Sequence, residues 1–354
     1  MPETPATFRP EETTIRQDWA ALSRHLAGHG FKFEPVPAPQ QFAGGFGNLN
    51  YLVSIDGKPW VLRRPPMGPI PPGANDMARE YKVLSAIAPA FPLAPKALYF
   101  TADPAMLGAP FLILEYRPGL VIRELLPTGL NSNIAGPQLS QLLVDILARL
   151  HGIDPVSVGL GEFGKPDGFL NRAVEGWAKR AEIAGDGKVA SAGRTVIEWL
   201  RAAPVPKGDV TLLHNDFKLD NVILDTDTLV PRAVVDWDMG SRGDPLFDLA
   251  TMLSYWTQSN DPPCMHEVRQ MPTAMPGFMT RAEVVEAYAR LSGRDVSQFR
   301  FHRILTMFKT SIVYLQLGAQ WRRGATNDPR FERFTQLGTD LLDFTHEITQ
   351  NRAN

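Results

Sequence analysis

The sequence predicts an α+β fold in which a small antiparallel sheet comes first and a larger, mainly helical part follows. Two strand-like runs at 51–55 and 60–64 are separated by the turn signal Asp-Gly at 56–57, which favours an antiparallel hairpin. Further along, apolar residues in 139–150 recur at helical spacing, which predicts a helix with one buried face. The Arg-Pro-Gly break at 117–119 lies between the two patterns and is interpreted as a hinge.

These patterns divide the chain of 354 residues into three parts, a length that suits about two domains of roughly 100 to 200 residues. Residues 1–37 mix charges and prolines around a short helical pattern at 18–26, and they are interpreted as a surface lead-in. Residues 38–116 are predicted to form the sheet-bearing N-terminal lobe, and residues 117–354 the larger C-terminal lobe.

Helix and strand signals place the remaining elements in chain order. Asn75 is expected to cap a helix that runs to about Ala88 and ends before Pro89. The compact apolar run 111–116 is predicted to be a buried strand. Helices are then predicted at about 168–184, 188–201, 245–257, 281–291, 297–322 and 330–350, and short strands at 222–224 and 233–235.

Composition and charge exclude several classes of function. Lys plus Arg number 36 and Asp plus Glu number 38, which leaves a formal net charge of -2. Such a chain has no field that would gather nucleic acid or an anionic membrane, so neither partner is expected. Apolar residues make up 44% of the sequence, which suits a globular protein with a sizeable core. The oligomeric state stays open.

Cysteine usage and the N-terminal residues favour a cytoplasmic location. Cys264 is the only cysteine in the sequence, so no intrachain disulfide and no thiolate zinc cluster can form. The first 30 residues carry seven charged side chains and no continuous apolar core, so no signal peptide is expected. No run of 18 apolar residues occurs anywhere, so no membrane span is expected.

Two short segments carry the densest set of reactive side chains. Residues 214–221 read His-Asn-Asp-Phe-Lys-Leu-Asp-Asn, and residues 234–238 read Val-Val-Asp-Trp-Asp. They resemble the catalytic loop and the metal-binding Asp segment of the protein-kinase-like superfamily, because the first matches the H-R-D-L-K-x-x-N spacing at His, Asp, Lys and Asn. From about Phe42 to Trp256 the chain is similar to the aminoglycoside phosphotransferase and choline kinase-like family, particularly its branch related to kinase domains associated with acyl-CoA dehydrogenases. The resemblance implies a protein-kinase-like bilobal fold with nucleotide bound by the N-terminal lobe.

The resemblance implies a role for five of the polar side chains. Asp216 is expected to orient a hydroxyl group and accept its proton during phosphoryl transfer. Lys218 is expected to offset charge on the transferring phosphoryl group. Asn221 and Asp236 are expected to bind Mg²⁺, which prefers oxygen ligands. Asp248 is expected to hold the backbone of the catalytic loop, because a buried carboxylate requires hydrogen-bond partners.

A glycine-rich turn, Gly44-Gly45-Phe46-Gly47-Asn48, lies between strand-like runs. Backbone N–H groups of such a turn can approach phosphate oxygens, so Gly44, Gly45, Phe46 and Asn48 are candidates for nucleotide binding. A plain hairpin turn is the alternative interpretation. The sequence holds no G-x-x-x-x-G-K-[ST] pattern, which disfavours a P-loop NTPase.

Side chains on the strand at 60–64 alternate between two faces, so Val61 and Arg63 share one face and Arg64 takes the other. The resembled family usually has lysine where this sequence has arginine. Arg63 is therefore assigned to hold the α and β phosphates and to pair with Glu80 on the following helix, since arginine can bind phosphate in a bidentate manner. Arg64 is the competing assignment.

The resemblance also supplies candidates around the adenine base. The run 111–116 resembles the kinase strand that leads into the hinge, so Glu115, Tyr116 and Arg117 are candidates to contact the base. Ile223 is expected to form an apolar floor under the base opposite Val61, and Val235 is a further candidate. Core packing would explain these apolar residues equally well.

The resulting hypothesis is an enzyme that uses ATP and Mg²⁺ to transfer the γ-phosphoryl group to a hydroxyl group of a small molecule. A protein substrate is disfavoured, because no A-P-E motif follows Asp236 before the Gly-Asp-Pro at 243–245. The branch associated with acyl-CoA dehydrogenases implies a hydroxyacyl thioester or hydroxy acid as acceptor. Antibiotic amino sugars suit less well, because the segment 255–330 is not conspicuously acidic. The alternatives are an aminoglycoside- or macrolide-type kinase and a nucleotide-binding pseudokinase without turnover.

Overall fold

The computed structural model describes residues 7–44, 47–68, 75–185, 187, 189–326 and 328–350. Contacts divide the chain into two compact units. The first unit contains the residues up to 121 together with 158–160 and 221–240, and the second contains 122–157, 161–220 and the residues from 241 onward. The first is built on an antiparallel sheet and the second on helices, as the predicted α+β class requires.

The elements are numbered in chain order. The strands are β1 (Phe33–Glu34), β2 (Gln40–Gln41), β3 (Leu49–Ile55), β4 (Lys58–Arg64), β5 (Ala97–Thr101), β6 (Phe111–Glu115), β7 (Thr211–Leu213), β8 (Val222–Leu224), β9 (Pro231–Val234) and β10 (Ser241–Gly243). The helices are α1 (Trp19–Gly28), α2 (Met77–Ile87), α3 (Ser132–His151), α4 (Phe169–Ala184), α5 (Ser191–Ala202), α6 (Pro245–Ser254), α7 (Pro263–Val268), α8 (Arg281–Ser292), α9 (Phe299–Arg322) and α10 (Phe334–Gln350). Short 3₁₀ helices lie at Glu11–Thr13, Leu219–Asn221 and Pro329–Arg333.

The sheet of the first unit has the strand order β1-β3-β4-β6-β5, and β2 pairs with the same strand, β3, that pairs with β1. The β3–β4 hairpin turns at Asp56 and Gly57, whose φ angles of 52° and 71° are both left-handed, as a tight two-residue hairpin turn requires. The register places Asn50 opposite Arg63. This register decides which face of β4 carries each of its two arginines.

The N-terminal segment is not a surface lead-in, which corrects the interpretation of residues 1–37. Helix α1 is capped by Asp18, whose side chain accepts a hydrogen bond from the Ala21 N–H at 2.8 Å. Leu22 and Leu26 lie one turn apart on this helix and are fully buried in the core of the first unit. Burying two leucine side chains stabilises the fold by about 3 kcal/mol or more, so α1 belongs to the first unit's core.

The helix predicted from about residue 75 is present as α2, but its cap is Asp76 rather than Asn75. The Asp76 carboxylate accepts a hydrogen bond from the Arg79 N–H at 3.0 Å. Asn75 has a φ of 55°, and its amide donates to Asn48 Oδ1 at 3.0 Å. Asn75 therefore connects the start of α2 to the last residue of the glycine-rich turn.

Two buried helices form the centre of the second unit. Every residue of α6 is buried, and Asp244 caps this helix by accepting a hydrogen bond from the Leu246 N–H at 2.9 Å. Helix α9 is buried without interruption from Phe301 to Ile312. Polar and charged side chains on these stretches are thus surrounded by protein, which is unfavourable unless they have hydrogen-bond partners.

The β8–β9 hairpin groups with the first unit, although the sequence assigned residues 117–354 to one C-terminal lobe. Leu120 and Leu224 exchange two backbone hydrogen bonds, at 2.8 and 2.9 Å, and the Val234 N–H donates to the Leu93 carbonyl at 2.7 Å. These bonds tie both strands to the sheet-bearing unit. Among the described residues, no helix combines the length and the apolar character that crossing a membrane requires.

Candidate active site

Arg63 is the centre of a buried ionic cluster in the first unit. Its Nε donates to Glu80 Oε2 at 2.7 Å, its Nη2 pairs with Asp236 Oδ1, and Asp238 Oδ2 lies 3.8 Å from the same nitrogen. Glu80 stands in the first turn of α2 and also accepts a hydrogen bond from the Trp237 N–H at 3.3 Å. We call these four side chains, Arg63, Glu80, Asp236 and Asp238, the Arg63 cluster. The expected pairing of Arg63 with Glu80 is therefore present.

The pKa values in the Arg63 cluster reflect its excess of carboxylates. Burial raises the pKa of Glu80 to about 7, with Arg63 acting to lower it and the two aspartates to raise it. Burial and the neighbouring Asp236 raise the pKa of Asp238 to about 6. Three carboxylates thus face one guanidinium group, and a proton or a cation would relieve the repulsion among them. Among the described residues, no three carboxylate, imidazole or thiolate side chains converge into a metal site, so a cation here would need amide, water or phosphate oxygens as further ligands.

Asp236 and Asn221 lie at the same end of the β8–β9 hairpin. Val222 pairs with Val234, and one residue further the Val235 N–H donates to the Asn221 carbonyl at 2.9 Å. Asp236 follows at once, with a left-handed φ of 72° that is uncommon for a residue other than glycine. An amide and a carboxylate from one hairpin end could together hold Mg²⁺, which usually keeps several waters or phosphate oxygens as its other ligands.

Asn48, the last residue of the glycine-rich turn, is joined to the Arg63 cluster. The Asn48 amide donates to Asp238 Oδ2 at 3.0 Å. Gly44 is half-buried at the start of the turn, whereas Gly45 and Phe46 lie outside the described residues. Asp238 therefore links the turn to the metal-binding candidate two residues before it.

Arg64, the competing assignment, lies away from the Arg63 cluster. Its Nη1 donates to Gln17 Oε1 at 2.7 Å and to the Leu107 carbonyl. Burial lowers the pKa of Arg64, and the Tyr51 phenol acts in the opposite direction. Alternation along β4 explains the separation, because neighbouring residues of a strand point to opposite faces. Arg63 alone of the two arginines contacts Glu80 and Asp236.

Two of the candidates for adenine binding, Glu115 and Arg117, already make hydrogen bonds to other parts of the first unit. The Glu115 N–H donates to the Lys96 carbonyl at 2.8 Å, so a base would have to use the Glu115 carbonyl and the Arg117 N–H instead. The Arg117 guanidinium donates to the Pro92 and Arg232 carbonyls at 2.6 and 2.8 Å. The other candidates, Val61, Tyr116, Ile223 and Val235, are each only half-buried, which leaves part of their surface accessible to a ligand.

In the second unit, Asp216 and Lys218 form an ion pair. Lys218 Nζ lies 2.6 Å from Asp216 Oδ2 and 3.5 Å from Asp220 Oδ1. Burial acts to lower the pKa of Lys218, but the carboxylates of Asp216 and Asp220 outweigh burial and raise it well above its usual range. The Lys218 side chain is 9% exposed and that of Asp216 31%. The Asp216 carboxylate is therefore accessible to a hydroxyl group, and the Lys218 ammonium group holds this carboxylate in one orientation.

Asp248 holds the backbone that leads to Asp216, as expected. Its two carboxylate oxygens accept hydrogen bonds from the N–H groups of His214 and Asn215, each at 2.6 Å. His151 Nε2 lies 3.3 Å from the same carboxylate and its Nδ1 lies 2.7 Å from the Tyr288 hydroxyl. Burial acts to raise the pKa of Asp248, but these contacts outweigh it and hold the pKa below its usual value.

Sequence reasoning missed three polar residues of these sites. Asp238 belongs to the motif at 234–238, and its position two residues after Asp236 was the pattern that could have indicated its role. Tyr255 places its ring 5.8 Å from the Lys218 ammonium group. Lys309 lies inside the buried stretch of α9 and donates to the Asn215 carbonyl at 2.9 Å. A lone lysine on a buried helix was the one signal that could have revealed Lys309.

The described candidate residues fall into two sets. The first unit contains those assigned to nucleotide and metal, which are Gly44, Asn48, Val61, Arg63, Glu80, Glu115, Tyr116, Arg117, Asn221, Ile223, Val235 and Asp236. The second unit contains Asp216 and Lys218. The peptide bond between Asp220 and Asn221 joins the two sets in the chain.

Known structures share this fold. A provisionally named aminoglycoside phosphotransferase from Ralstonia eutropha superposes with a TM-score of 0.75 at 23% identity, covering 95% of this chain and 99% of that one. A mutant aminoglycoside phosphotransferase in complex with ADP and hygromycin B gives a TM-score of 0.59 at 16% identity, covering 94% of this chain and 99% of that one. The predicted protein-kinase-like class is therefore confirmed.

Residues 38–281 match the family described as the phosphotransferase enzyme family. Because the match covers more than half of the chain, the chain belongs to this family. It is also 27% identical over 308 residues to acyl-CoA dehydrogenase family member 10 of Mus musculus, covering 86% of this chain and 28% of that protein. It is 28% identical over 294 residues to acyl-CoA dehydrogenase family member 11 of Homo sapiens, and the match covers 82% of this chain and 37% of that protein. The predicted resemblance is confirmed, and the chain spans less than half the length of these two relatives.

Proposed function

We propose that this chain is an ATP- and Mg²⁺-dependent phosphotransferase that transfers the γ-phosphoryl group of ATP to a hydroxyl group of a small molecule. The observation that carries the proposal is Arg63, a buried guanidinium group that binds Glu80 and Asp236 at once. Among the described residues, its Nη1 makes one contact, of 3.4 Å with Asn50 Oδ1, and this leaves donors for phosphate oxygens. Membership of the phosphotransferase family and the nucleotide complexes of fold neighbours support the proposal.

In this proposal the first unit holds the nucleotide and the metal. Asn221 and Asp236 would bind Mg²⁺, which would offset charge on the phosphate oxygens when bound. Arg63 would bind the α and β phosphates, and Glu80 would keep the guanidinium group in place. Asn48 would hold the end of the glycine-rich turn beside the metal through its hydrogen bond to Asp238. Binding of Mg²⁺ would relieve part of the repulsion among the carboxylates of the Arg63 cluster.

The second unit would activate the acceptor. Asp216 would orient the acceptor hydroxyl and take its proton, and the carboxylate is exposed enough to be reached. Lys218 would hold Asp216 Oδ2 before the reaction and then offset negative charge on the transferring phosphoryl group. Such positioning accounts for most of the catalysis in phosphoryl transfer, because the protein takes little part in the bond changes.

For the acceptor, we propose a hydroxyacyl-CoA or a hydroxy acid. The matched relatives are named as members of the acyl-CoA dehydrogenase family, which links this chain to acyl substrates. Among the described residues of the second unit, the side chains of Lys218, Arg303 and Lys309 are buried cations. Burial, assisted by the nearby Arg281, lowers the pKa of Arg303 to about 9. Buried cations favour an anionic or neutral acceptor over a polycationic amino sugar.

An antibiotic kinase is the second candidate. It is favoured by the fold neighbours, which include the hygromycin B complex and a macrolide 2′-phosphotransferase from Brachybacterium faecium with a TM-score of 0.56. These neighbours are at most 19% identical to this chain. The acceptor screen below separates the two candidates.

The proposal is tested by incubating purified protein with MgATP and a panel of hydroxyacyl-CoA thioesters, hydroxy acids, hygromycin B and a macrolide. ADP release and the mass of the product are measured. We expect phosphorylated product with a hydroxyacyl-CoA or hydroxy acid. Product only with an antibiotic would support the second candidate. Calorimetric binding of MgATP without product from any acceptor would instead indicate a pseudokinase.

The role of Asp216 is tested with Asp216→Asn, which preserves shape but removes the proton acceptor. Because a positioned base contributes about 10²- to 10⁴-fold, we expect kcat to fall by at least about 100-fold. Asp227→Asn, at an exposed turn between β8 and β9, is the matched control and should retain activity. An Asp216→Asn variant with unchanged product yield would refute the assigned base.

A further inference from the structure

Three consecutive peptide groups before Asp216 are held by buried side chains. Asp248 accepts hydrogen bonds from the N–H groups of His214 and Asn215. The third peptide group joins Asn215 to Asp216, and its carbonyl and N–H lie in one plane. Lys309 Nζ donates to this carbonyl at 2.9 Å, and the Asp216 N–H donates to His214 Nδ1 at 3.3 Å. The peptide group that carries Asp216 is thus fixed at both ends.

The conformation that these contacts hold is an unusual one. Asn215 has a φ of 65°, in the left-handed region that residues other than glycine rarely adopt. Its side-chain amide donates to Ser241 Oγ at 2.8 Å. A residue in this region persists only when its surroundings determine it. Asp248 fixes one side of Asn215 and Lys309 fixes the other.

Lys309 has few other interactions that would explain its burial. It is 8% exposed, and within the described part of the chain it pairs with no carboxylate at salt-bridge distance. Its Nζ lies 3.5 Å from Thr251 Oγ1 and 5.3 Å from the centre of the Phe247 ring. Burial lowers the pKa of Lys309 to about 8, with Asp216 and Asp248 acting to raise it and Lys218 and Arg180 to lower it. Burying an ammonium group is unfavourable unless it makes compensating contacts. The hydrogen bond to the Asn215 carbonyl is the shortest contact that its Nζ makes among the described residues.

We propose that Lys309 is a positioning residue for phosphoryl transfer, which fixes the direction of the Asp216 side chain by holding the Asn215 carbonyl. Lys309 lies on helix α9, beyond the segment 38–281 that matches the family. The kinetic part of the proposal rests on the proposed function. The structural part, that Lys309 orders residues 214–216, does not.

The test uses the full chain with Lys309→Met, which keeps the length of the side chain but removes the donor. We expect kcat to fall by about 10- to 100-fold, the effect of losing one charge-assisted hydrogen bond, while the KM for MgATP changes less than about twofold. Lys309→Arg restores a cationic donor and should recover part of kcat. Ser311→Ala is the matched control, because Ser311 is buried on the same helix and bonds to Met307 and Thr345; its kcat should stay near that of the wild type.

Hydrogen–deuterium exchange provides a measurement that does not depend on activity. In Lys309→Met we expect faster exchange in peptides that cover 213–217 and unchanged exchange in α10, while Ser311→Ala leaves the loop unchanged. A folded Lys309→Met variant with wild-type kcat, or with unchanged exchange at 213–217, would overturn the proposal. If the wild type transfers phosphoryl to none of the acceptors, the proposed function fails, and the exchange result alone decides the role of Lys309.

Discussion

The Arg63 cluster and the loop that carries Asp216 are held in place in opposite ways. The Arg63 cluster consists of side chains that face one another, with three carboxylates around one guanidinium group. In the loop at 214–216, buried side chains instead hold backbone groups, as Asp248 and Lys309 show. The cluster's charge can change with protonation or with a bound cation, whereas the loop's geometry is fixed beforehand. The Arg63 cluster is therefore suited to binding a charged ligand, and the loop at 214–216 is suited to positioning a reactive group.

The difference also predicts how the two regions respond to pH. In the Arg63 cluster, burial raises the pKa of Glu80 to about 7. In the loop anchor, hydrogen bonds hold the pKa of Asp248 below its usual value despite burial. A carboxylate with a raised pKa stabilises the fold at low pH, and one with a lowered pKa stabilises it at higher pH. The two regions therefore contribute stability in opposite parts of the pH range.

The largest effect is expected from Asp248→Asn, which removes the charge from the anchor of the loop. An amide offers a single oxygen to the two N–H groups of His214 and Asn215, so one of them loses its acceptor. Breaking a buried charged network typically costs about 3–5 kcal/mol, and we expect a loss of this size in the free energy of unfolding in urea. Asp145→Asn, on the partly exposed side of α3, is the control. A loss below about 1 kcal/mol would show that Asp248 is not the main anchor.

Much of this anchor could be predicted from the sequence. The motif at 214–221 located the loop, and a lone aspartate in the apolar helix α6 indicated a buried carboxylate that needs donors. The partner of Lys309 could not be predicted, because it is a backbone carbonyl nearly one hundred residues away in the chain. A backbone acceptor leaves no trace in residue identity, so only the fold reveals the contact.

The Arg63 cluster was predictable to a similar degree. Strand alternation and the resemblance gave the pair of Arg63 and Glu80, and the motif gave Asp236. The choice between Arg63 and Arg64 needed the register of β4 against its neighbours, since both arginines are buried. Helix α1 was misjudged as part of a surface lead-in because its two buried leucines lie among charged residues, and most of the apolar residues in their core cluster, on β3 and β6, are distant in sequence.

A comparison of Arg63→Lys with Arg64→Lys sharpens the assignment of the phosphate ligand. A lysine at 63 has a single ammonium group and cannot reproduce the separate contacts of Nε and Nη2 with Glu80 and Asp236. We expect the KM for MgATP to rise by about tenfold in Arg63→Lys, which corresponds to about 1.4 kcal/mol. Arg64→Lys should lower the melting temperature and leave this KM within about twofold. The opposite pattern would assign the phosphates to Arg64.

The smallest effect concerns the pH dependence of stability in metal-free buffer. Glu80 has an ordinary pKa of 4.5 when unfolded and about 7 when folded, so between these values the folded state binds a proton that the unfolded state has released. Stability from this group is therefore fully present below about pH 4.5 and is lost as the pH rises through 7. We expect a change on the order of 1 kcal/mol.

The measurement is urea unfolding of the wild type and Glu80→Gln at pH 5 and pH 7.5 with EDTA present. The wild type should lose more stability than Glu80→Gln on going to pH 7.5, because glutamine does not titrate and still presents an oxygen to Arg63. Glu175→Gln, in an exposed pair with Arg201, should follow the wild type. Adding Mg²⁺ at pH 7.5 should restore stability to the wild type, since the cation takes the place of the proton among the carboxylates. Equal pH dependence in wild type and Glu80→Gln would show that the Arg63 cluster stays fully ionised, and the contrast with the Asp248 anchor would then rest on geometry alone.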